Sequence, residues 1–581
     1  ALGRSLPDLM VPAAFILLPS LPRLPNGKVD RTALPIPFPA EERSRRAPSG
    51  PVEELLAGIW SEVLKVERVT AEDDFLELGG HSLVATQVLS RLRAAFRIDL
   101  PMRALFQTPK LSDLAAAVET ELRSGATVIE PPLERAPRDA PFPVSFAQER
   151  LFFIDQLQPG GHAYNLPVVL RMTGHLRVPI LEEAWSEIRR RHESLRTTFA
   201  SERGVPVQRV EPPAPLSLPV IDLETVPEAI RGDAWLKLVR REAARPFDLE
   251  RGPLLRVFLV RLAADEHVLF QATHHIVSDA WSTGQLIRDL KALFSAFSAG
   301  RSSPLPELSF QYADYAHWER SWLKGGVLDA QLAWWKSRLA GAASGIALPL
   351  DRSRPPIQTF RGGSVSRPLG RELTAALDAL ARQEGATVYM VLLAAWKTLL
   401  HHLSGQDDLV VGTSVANRNH PGLEGIVGFF VNLLAMRTDL GGSADFREVL
   451  RRVRETALGA FAHQGAPFAT LVESLRLGRD LSRNPIFQVV FTFENARGES
   501  PDLAGLQVKP VAYGMDTTVF DIALLVWRQD EGLNAALRYS SDLFLPATAD
   551  RMIDQLATLL EAVAASPETP LSEIRGLLGQ V

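Results

Sequence analysis

The 581-residue chain contains no cysteine. That excludes disulfides, thiolate zinc sites and cysteine nucleophiles together, and no metal site is expected. It also has no phosphate loop of the G-x-x-x-x-G-K-[ST] type and no G-x-G-x-x-G turn, so the usual nucleotide cradles are missing. Long apolar runs are scarce. The longest helical one, Val388 to Leu400, is interrupted by Lys397 and is shorter than the roughly 20 residues a bilayer requires. There is no secretory signal pattern at the start. Basic charge is not in excess: 63 Lys and Arg stand against 68 Asp and Glu, a formal net charge of −5, which disfavours nucleic acid as a partner. These absences together fit a cytoplasmic protein without membrane contact.

What remains is the composition of ordinary globular protein, 46% apolar and 23% charged. The length is too great for one core and suggests three or four domains. The chain opens without methionine in an apolar run, as the middle of a larger polypeptide would. Residues 36–50 and 124–141 are linkers by composition, rich in proline and charge. Between them, residues 51–123 carry three apolar stripes at helical spacing: Leu55, Ile59, Val63; then Val84, Val88, Leu92, Phe96; then Leu111, Leu114, Val118, Leu122. Thr108-Pro109 reads as the start signal of the last stripe. A small bundle of about four helices is expected. From about residue 142, strand-like runs alternate with helical ones, the pattern of an α/β fold.

Two adjacent histidines stand at the end of the apolar run His267-Val-Leu-Phe-Gln271, in Ala272-Thr-His-His-Ile-Val-Ser-Asp279. Neighbouring side chains on a strand face opposite ways. His274 and His275 therefore divide their tasks, one toward a cavity and one inward. Two packed core histidines are the plain alternative. A serine, Ser82, follows Gly79-Gly80-His81 at the start of the second helical stripe. By itself it is an ordinary helix N-cap.

Longer strings are more specific. Asp74-Phe-Leu-Glu-Leu-Gly-Gly-His-Ser-Leu83 resembles the attachment site of peptidyl carrier domains, which implies a 4′-phosphopantetheine arm on Ser82. A helix N-terminus tolerates the added phosphate anion. Leu24-Pro-Asn-Gly-Lys-Val-Asp-Arg31 resembles the last motif of amino-acid adenylation domains, with Lys28 at the tip of a turn; only the tail of such a domain, residues 1–35, is present. Seven strings resemble condensation domains of nonribosomal peptide synthetases, in the order that family has them. They are Ser145-Phe-Ala-Gln-Glu-Arg-Leu151, Arg191-His-Glu-Ser-Leu-Arg-Thr-Thr-Phe199, His274-His-Ile-Val-Ser-Asp279, Tyr312-Ala-Asp-Tyr-Ala-His-Trp318, Val427-Gly-Phe-Phe-Val-Asn432, His463-Gln-Gly-Ala-Pro-Phe468 and Arg479-Asp-Leu-Ser-Arg-Asn-Pro-Ile-Phe487.

The resemblance implies an all-α carrier bundle followed, over residues 142–575, by an α/β domain of two lobes around a tunnel, related to chloramphenicol acetyltransferase. The amino lobe would run to about 312 and the carboxyl lobe from 313, with 576–581 beginning another linker. The implied reaction is amide formation between a donor thioester on Ser82 and the amine of a downstream acceptor carrier. Implied partners are that carrier, a phosphopantetheinyl transferase and neighbouring synthetase modules. His275 would be the catalytic residue, as general base or as a group that orients the amine. His274 would be packed. Asp279 would form a structural ion pair with Arg196. Asn432 would reach the tunnel or be a buried amide at a strand turn, and the Tyr312 to Trp318 aromatics would belong to the core. The opening string Phe146 to Gln156 resembles the subtype joining an L-donor to an L-acceptor.

Some positions depart from the family. Ala280 replaces a usual glycine, so a left-handed turn after Asp279 is not expected; Leu433 replaces a threonine, and Gly465-Ala466 an acidic-aromatic pair. Cyclisation-type domains replace the two histidines and are excluded. An epimerisation domain shares the histidine string, but its carriers tend to have Asp where His81 stands. An inactive carrier-docking platform is the non-enzymatic alternative.

Overall fold

The computed structural model describes residues 46–579, apart from 97, 99, 125–130, 158, 419, 444, 479, 495–502, 504, 515, 516 and 530; the side chains of 82, 83, 94, 123 and 124 are also outside it. The adenylation-like tail with Lys28, most of the first linker and the start of the Arg479 string fall outside the described residues.

Four helices come first: α1 (Pro51–Leu64), α2 (Ser82–Phe96), α3 (Met102–Gln107) and α4 (Leu111–Ser124). Their core is built on Trp60, Phe75 and Phe106, with ring centroids 5.4 and 6.2 Å apart along the chain of three. The buried face of α1 is Val52, Leu56, Ile59 and Trp60, whereas Leu55 is exposed. The expected stripe is thus turned by one residue, because Trp60 offers more area to bury than either neighbour. In α4, Leu111, Leu114 and Val118 are buried as expected, but Leu122 is exposed near the helix end. Thr108 does not open α4. Its N–H and its hydroxyl both donate to Ala104 O, at 2.8 and 2.7 Å, and so close α3. The glycine pair before Ser82 has a steric cause. Gly79 has φ +92°, and a Cβ on Gly80 would stand 2.3 Å from Phe75 O.

The rest alternates strands and helices. The first half holds β1 (Phe142–Pro143), α5 (Phe146–Leu157), β2 (Asn165–Thr173), α6 (Val178–Arg191), β3 (Thr197–Glu202), β4 (Val205–Val210), β5 (Val220–Asp222), α7 (Glu228–Ala243), β6 (Leu255–Ala263), β7 (Glu266–His274) and α8 (Ala280–Ser298). Helices α9 (Tyr312–Trp322) and α10 (Gly326–Leu339) lead into the second half. It comprises β8 (Gly362–Gly370), α11 (Arg371–Gln383), α12 (Val388–Ser404), β9 (Asp408–Val415), β10 (Asn432–Asp439), α13 (Phe446–Ala462), α14 (Phe468–Leu475), β11 (Val489–Glu494), β12 (Gln507–Pro510), β13 (Ile522–Gln529), β14 (Gly532–Ser540), α15 (Pro546–Ala565) and α16 (Leu571–Leu578).

Each half has its own sheet. The first has the order β12-β2-β7-β6-β5, the second β10-β9-β11-β13-β14-β8, and a small sheet β1-β4-β3 flanks the first. Strand β7 is central, and every residue from His267 to His274 is buried, which is why its sequence is a continuous apolar run rather than an alternation. One segment crosses between halves: β12, from the second, pairs with β2 and covers the edge of the first sheet. Helix α12 is buried on nearly all sides. Its Lys397 is fully buried and donates to Met436 O at 2.5 Å and Thr438 Oγ1 at 2.8 Å, tying the helix to β10. No described helix is long and apolar enough to cross a membrane.

A Gly80→Ala substitution should force Phe75 aside and destabilise the helical domain by about 1–3 kcal/mol. Hydrogen exchange of the α1 and α2 amides should speed up accordingly, while exchange in β7 stays as it was.

Candidate active site

The site forms where β7 ends. His274 is the last strand residue, and His275–Val277 make one 3-10 turn before α8 begins at Ala280. Asp279 caps α8 by accepting from Ser282 N at 2.8 Å. Ala280 lies in the first turn of that helix and is not among the residues of positive φ, so no left-handed turn occurs there.

The turn separates the two histidines. His274 is buried beside Tyr164 and Phe247, at centroid distances of 6.5 and 6.1 Å, and its Nδ1 accepts from Ile276 N at 3.2 Å. Burial, together with the neighbouring His275, pushes its pKa down to about 3, so it is neutral. His275 is fixed by its own N–H, which donates to Tyr164 O at 2.8 Å, and by Nδ1, which lies 2.9 Å from Ser278 O. A carbonyl only accepts, so Nδ1 carries the proton and Nε2 presents its lone pair. Among the described residues Nε2 has no hydrogen-bond partner. Burial lowers the pKa of His275 from its usual value, against the opposing pull of Asp279. The ring meets Phe429 of the second half edge-on, with centroids 4.7 Å apart.

Asp279 is 0% exposed and pairs with Arg418, itself almost wholly buried. Arg418 Nη1 and Nη2 donate to the two carboxylate oxygens at 3.0 and 3.2 Å, and Phe430 N donates at 3.1 Å. Burial alone would raise the carboxyl pKa; the Arg418 charge and the hydrogen bonds from Arg418 and Ser282 hold it below the usual value. The expected partner, Arg196, is elsewhere. It sits in the turn Glu193–Arg196 facing the β3–β4 hairpin, donates to Glu211 O and lies 3.7 Å from Glu193. The correction follows from topology. Asp279 points across to the second half, so its arginine comes from the loop after β9, between Val415 and Asn432. That arginine lies in none of the seven strings, and its signal in sequence is only a basic residue shortly before Val427-Gly-Phe-Phe-Val-Asn432.

The same loop explains that string. A Cβ on Gly428 would stand 1.9 Å from the Tyr312 ring. Ser282 Oγ donates to Gly428 O at 2.9 Å, and Tyr312 and Tyr315 are buried core as expected. Asn432 is 9% exposed. Its amide donates to Gln464 O and Ala466 O, at 2.9 and 2.7 Å, and accepts from Phe468 N at 3.0 Å. It lines a small cavity with Phe429 and Arg150, but its hydrogen bonds are spent on holding β10 to α14.

A larger cavity of about 240 Å³ lies on the other side, between α2 and the second sheet. Its outer end is His81, Thr86 and Gln87 of the helical domain; its inner end is Asn417 and Val431, which also line the small cavity beside Phe429. The two spaces thus share a wall, and the smaller one is lined by Phe429, the ring that meets His275. Asn417 has φ +51° and donates to Tyr315 Oη at 3.3 Å. The helical domain is held against this loop by Arg91, whose two terminal nitrogens reach the Glu424 carboxylate at 2.9 and 3.2 Å, while Trp281 Nε1 donates to Glu424 O at 2.9 Å. The start of α2 suits an anionic group, since no acid occupies its first turn. No described group of His, Asp and Glu has the form of a metal site.

Comparison with known proteins agrees with this division. Residues 54–118 match the phosphopantetheine attachment site model and residues 140–578 the condensation domain model. A component of linear gramicidin synthase from Brevibacillus parabrevis is 45% identical over 99% of the chain, and malpinin synthetase of Mortierella alpina 40% identical over 98%. The chain spans only 8% and 7% of those proteins. Among solved structures, the X-domain from teicoplanin biosynthesis is 32% identical with a TM-score of 0.70, covering 76% of this chain and 99% of that one. The first condensation domain of the CDA synthetase shares the fold at 21% identity, with a TM-score of 0.65 over 75% of this chain and 99% of that one.

Asp279→Ala and Arg418→Met should each destabilise the second-to-first half contact by about 3–5 kcal/mol, because each leaves a buried charge unpaired. Removing both should cost less than the sum. Denaturant unfolding of the two single variants and the double variant measures this.

Proposed function

This chain belongs to the condensation-domain family, and on that premise we propose that it joins a donor acyl or peptidyl group to the amine of an acceptor carrier. In this reading residues 51–123 are the donor carrier and 142–575 the condensation domain, with lobes meeting near residue 312. Ser82 is the attachment point of 4′-phosphopantetheine. The acceptor carrier, a phosphopantetheinyl transferase and neighbouring synthetase modules are the partners. The observation that carries the proposal is the neutral His275 imidazole, held by Ser278 O with Nε2 unpartnered among the described residues, its ring against Phe429, which lines the small cavity that shares Asn417 and Val431 with the larger one beside α2.

When bound, the arm supplies the donor thioester and a thiol leaving group. The residues of this chain supply position and a proton acceptor. Nε2 of His275 accepts a hydrogen bond from the attacking amine and takes its proton as the carbon–nitrogen bond forms; the carbon–sulfur bond breaks and the proton passes to sulfur. A free α-amine has a pKa of roughly 7.7–8.0, so much of it is already neutral near pH 8, and orientation by His275 serves alongside proton removal. His274 and Asp279 do not touch reacting atoms; they fix the turn that aims His275.

One finding favours a second reading, a docking platform. The X-domain, a structural relative at 31% identity, was solved in complex with OxyB. Amide formation separates the two. With an N-acetyl-aminoacyl pantetheine on Ser82 and a soluble aminoacyl thioester as acceptor, wild type should give amide by mass spectrometry. His275→Ala should be slower by about 10²–10⁴-fold, and Ser82→Ala should not gain the pantetheine mass. Equal, negligible yields from wild type and His275→Ala over several donors would establish the platform instead. Because burial lowers the pKa of His275, the midpoint of its protonation lies below the usual imidazole value. Both enzymes should slow as the amine protonates below about pH 8, but wild type should show a further acidic limb, on the acid side of the ordinary imidazole range, that the His275→Ala rate lacks.

The seating of the carrier has its own test. Arg91→Glu should slow transfer from Ser82, and the added Glu424→Arg change should restore much of it by re-forming the pair in reverse. A soluble donor thioester should be indifferent to both changes.

A further inference from the structure

We propose that the 240 Å³ cavity between α2 and the second sheet receives the side chain of the donor residue and selects a bulky apolar one. The proposal rests on the amide-forming reading and adds a substrate class to it. The cavity begins at His81, one residue before the attachment serine, and ends at Asn417 and Val431, where the smaller space beside Phe429 starts. The cavity therefore runs from the start of α2 to the space lined by Phe429, whose ring meets His275.

Its walls are mainly apolar. Tyr389 and Phe461, each 7% exposed, stand 5.7 Å apart between ring centroids; Phe493, Val415 and Trp281 complete the hydrophobic lining. An apolar cavity of about 150 Å³ already accepts a benzene ring, so this one has room for an aromatic or branched aliphatic side chain with its backbone. The charges nearby argue in the same direction. Arg418 is committed to Asp279, and Arg528, near His81, is held by Asp378 at 2.7 and 3.1 Å. His81 is neutral, since burial and then the Arg528 charge push its pKa down to about 4. An acidic donor side chain would therefore find no free cation among the described lining residues, and would be desolvated without compensation. Burial raises the pKa of the lining acid, Glu494, against the opposing Arg538 charge.

A berth for the pantetheine arm alone is the competing assignment, and the test separates the two. Val415→Phe and Thr492→Phe are two independent plugs, from β9 and β11, both on half-buried positions that line the space. The first readout is binding, without chemistry. In the full chain carrying Ser82→Ala, N-acetyl-phenylalanine amide and N-acetyl-leucine amide should show saturation-transfer NMR signals at least fivefold above those of the alanine and aspartate amides, and each plug should abolish the difference. The second readout is single-turnover amide formation from N-acetyl-phenylalanyl, -leucyl, -alanyl, -aspartyl and -lysyl groups loaded on Ser82. Phenylalanyl and leucyl donors should lead the aspartyl and lysyl donors by at least tenfold, and each plug should lower the phenylalanyl-to-alanyl rate ratio by at least tenfold. Equal losses for all donors would assign the cavity to the arm and overturn the proposal, as would a lysyl or aspartyl preference in wild type. Selective binding without any amide product would overturn the amide-forming reading and leave the pocket standing; amide product without selectivity would do the reverse.

Discussion

The Asp279–Arg418 pair is the constraint from which the site follows. It is fully buried and joins the start of α8, from the first half, to the loop between β9 and β10, from the second. Both carboxylate oxygens are satisfied twice: by Arg418 and Ser282 N on one side, by Arg418 and Phe430 N on the other. Arg418 also lies over the Phe430 ring, its guanidinium carbon 4.1 Å from the centroid, so its planar cation is packed as well as paired. Such a pair adds little to stability relative to apolar packing, because both ions lose their water. What it adds is geometry. One node sets the first turn of α8, the approach of Gly428 to Tyr312, and the position of Phe429 against the His275 ring. The turn that carries His275 is set by a contact between halves, not by its own strand alone.

That arrangement also links the carrier to the chemistry. The loop that brings Arg418 to Asp279 continues to Glu424, whose carbonyl holds Trp281 and whose carboxylate holds Arg91 of α2. Trp281 follows closely on Ser278, the acceptor that sets the His275 tautomer. Docking of the helical domain and orientation of the imidazole therefore share one short stretch of backbone. The Arg91–Glu424 pair is partly exposed, and an isolated pair of that kind contributes up to about 1 kcal/mol. The contact is thus weak, whereas the Asp279–Arg418 pair is sealed from water.

Much of this was legible in the sequence, where local chemistry dictates structure. The unbroken apolar run before His274 is a central strand because both its faces are covered. Gly79 takes a positive φ and Gly80 stands where Phe75 leaves no room for a Cβ, and Ala280 starts a helix without a left-handed turn. What was not legible is set by tertiary choice. Arg196 stands in a family-like string and faces a hairpin; Arg418, 139 residues from Asp279, is brought there only by the closure of two halves. The stripe on α1 turned by one residue because Trp60 and Leu55 compete for the same core, and periodicity weighs them alike. Thr108 has a side chain equally able to close one helix or open the next. The crossing of β12 into the first sheet leaves no local trace, because an edge strand is defined by the edge it covers.

For the proposed reaction, the geometry also ranks the contributions to rate. A neutral imidazole with depressed pKa is a weak base, and the amine it serves is partly deprotonated without help. Proton removal is then the smaller requirement, and the larger is to bring two reactants to one point with water excluded. The structure is consistent with that ranking: one nitrogen of His275 has no partner among the described residues, while His274, Asp279, Arg418, Ser282 and the Gly428 backbone hold the turn in place. Loss of activity on changing any of the latter measures position rather than chemistry. Only a change that keeps the turn and alters the basicity of Nε2 addresses the chemical step itself.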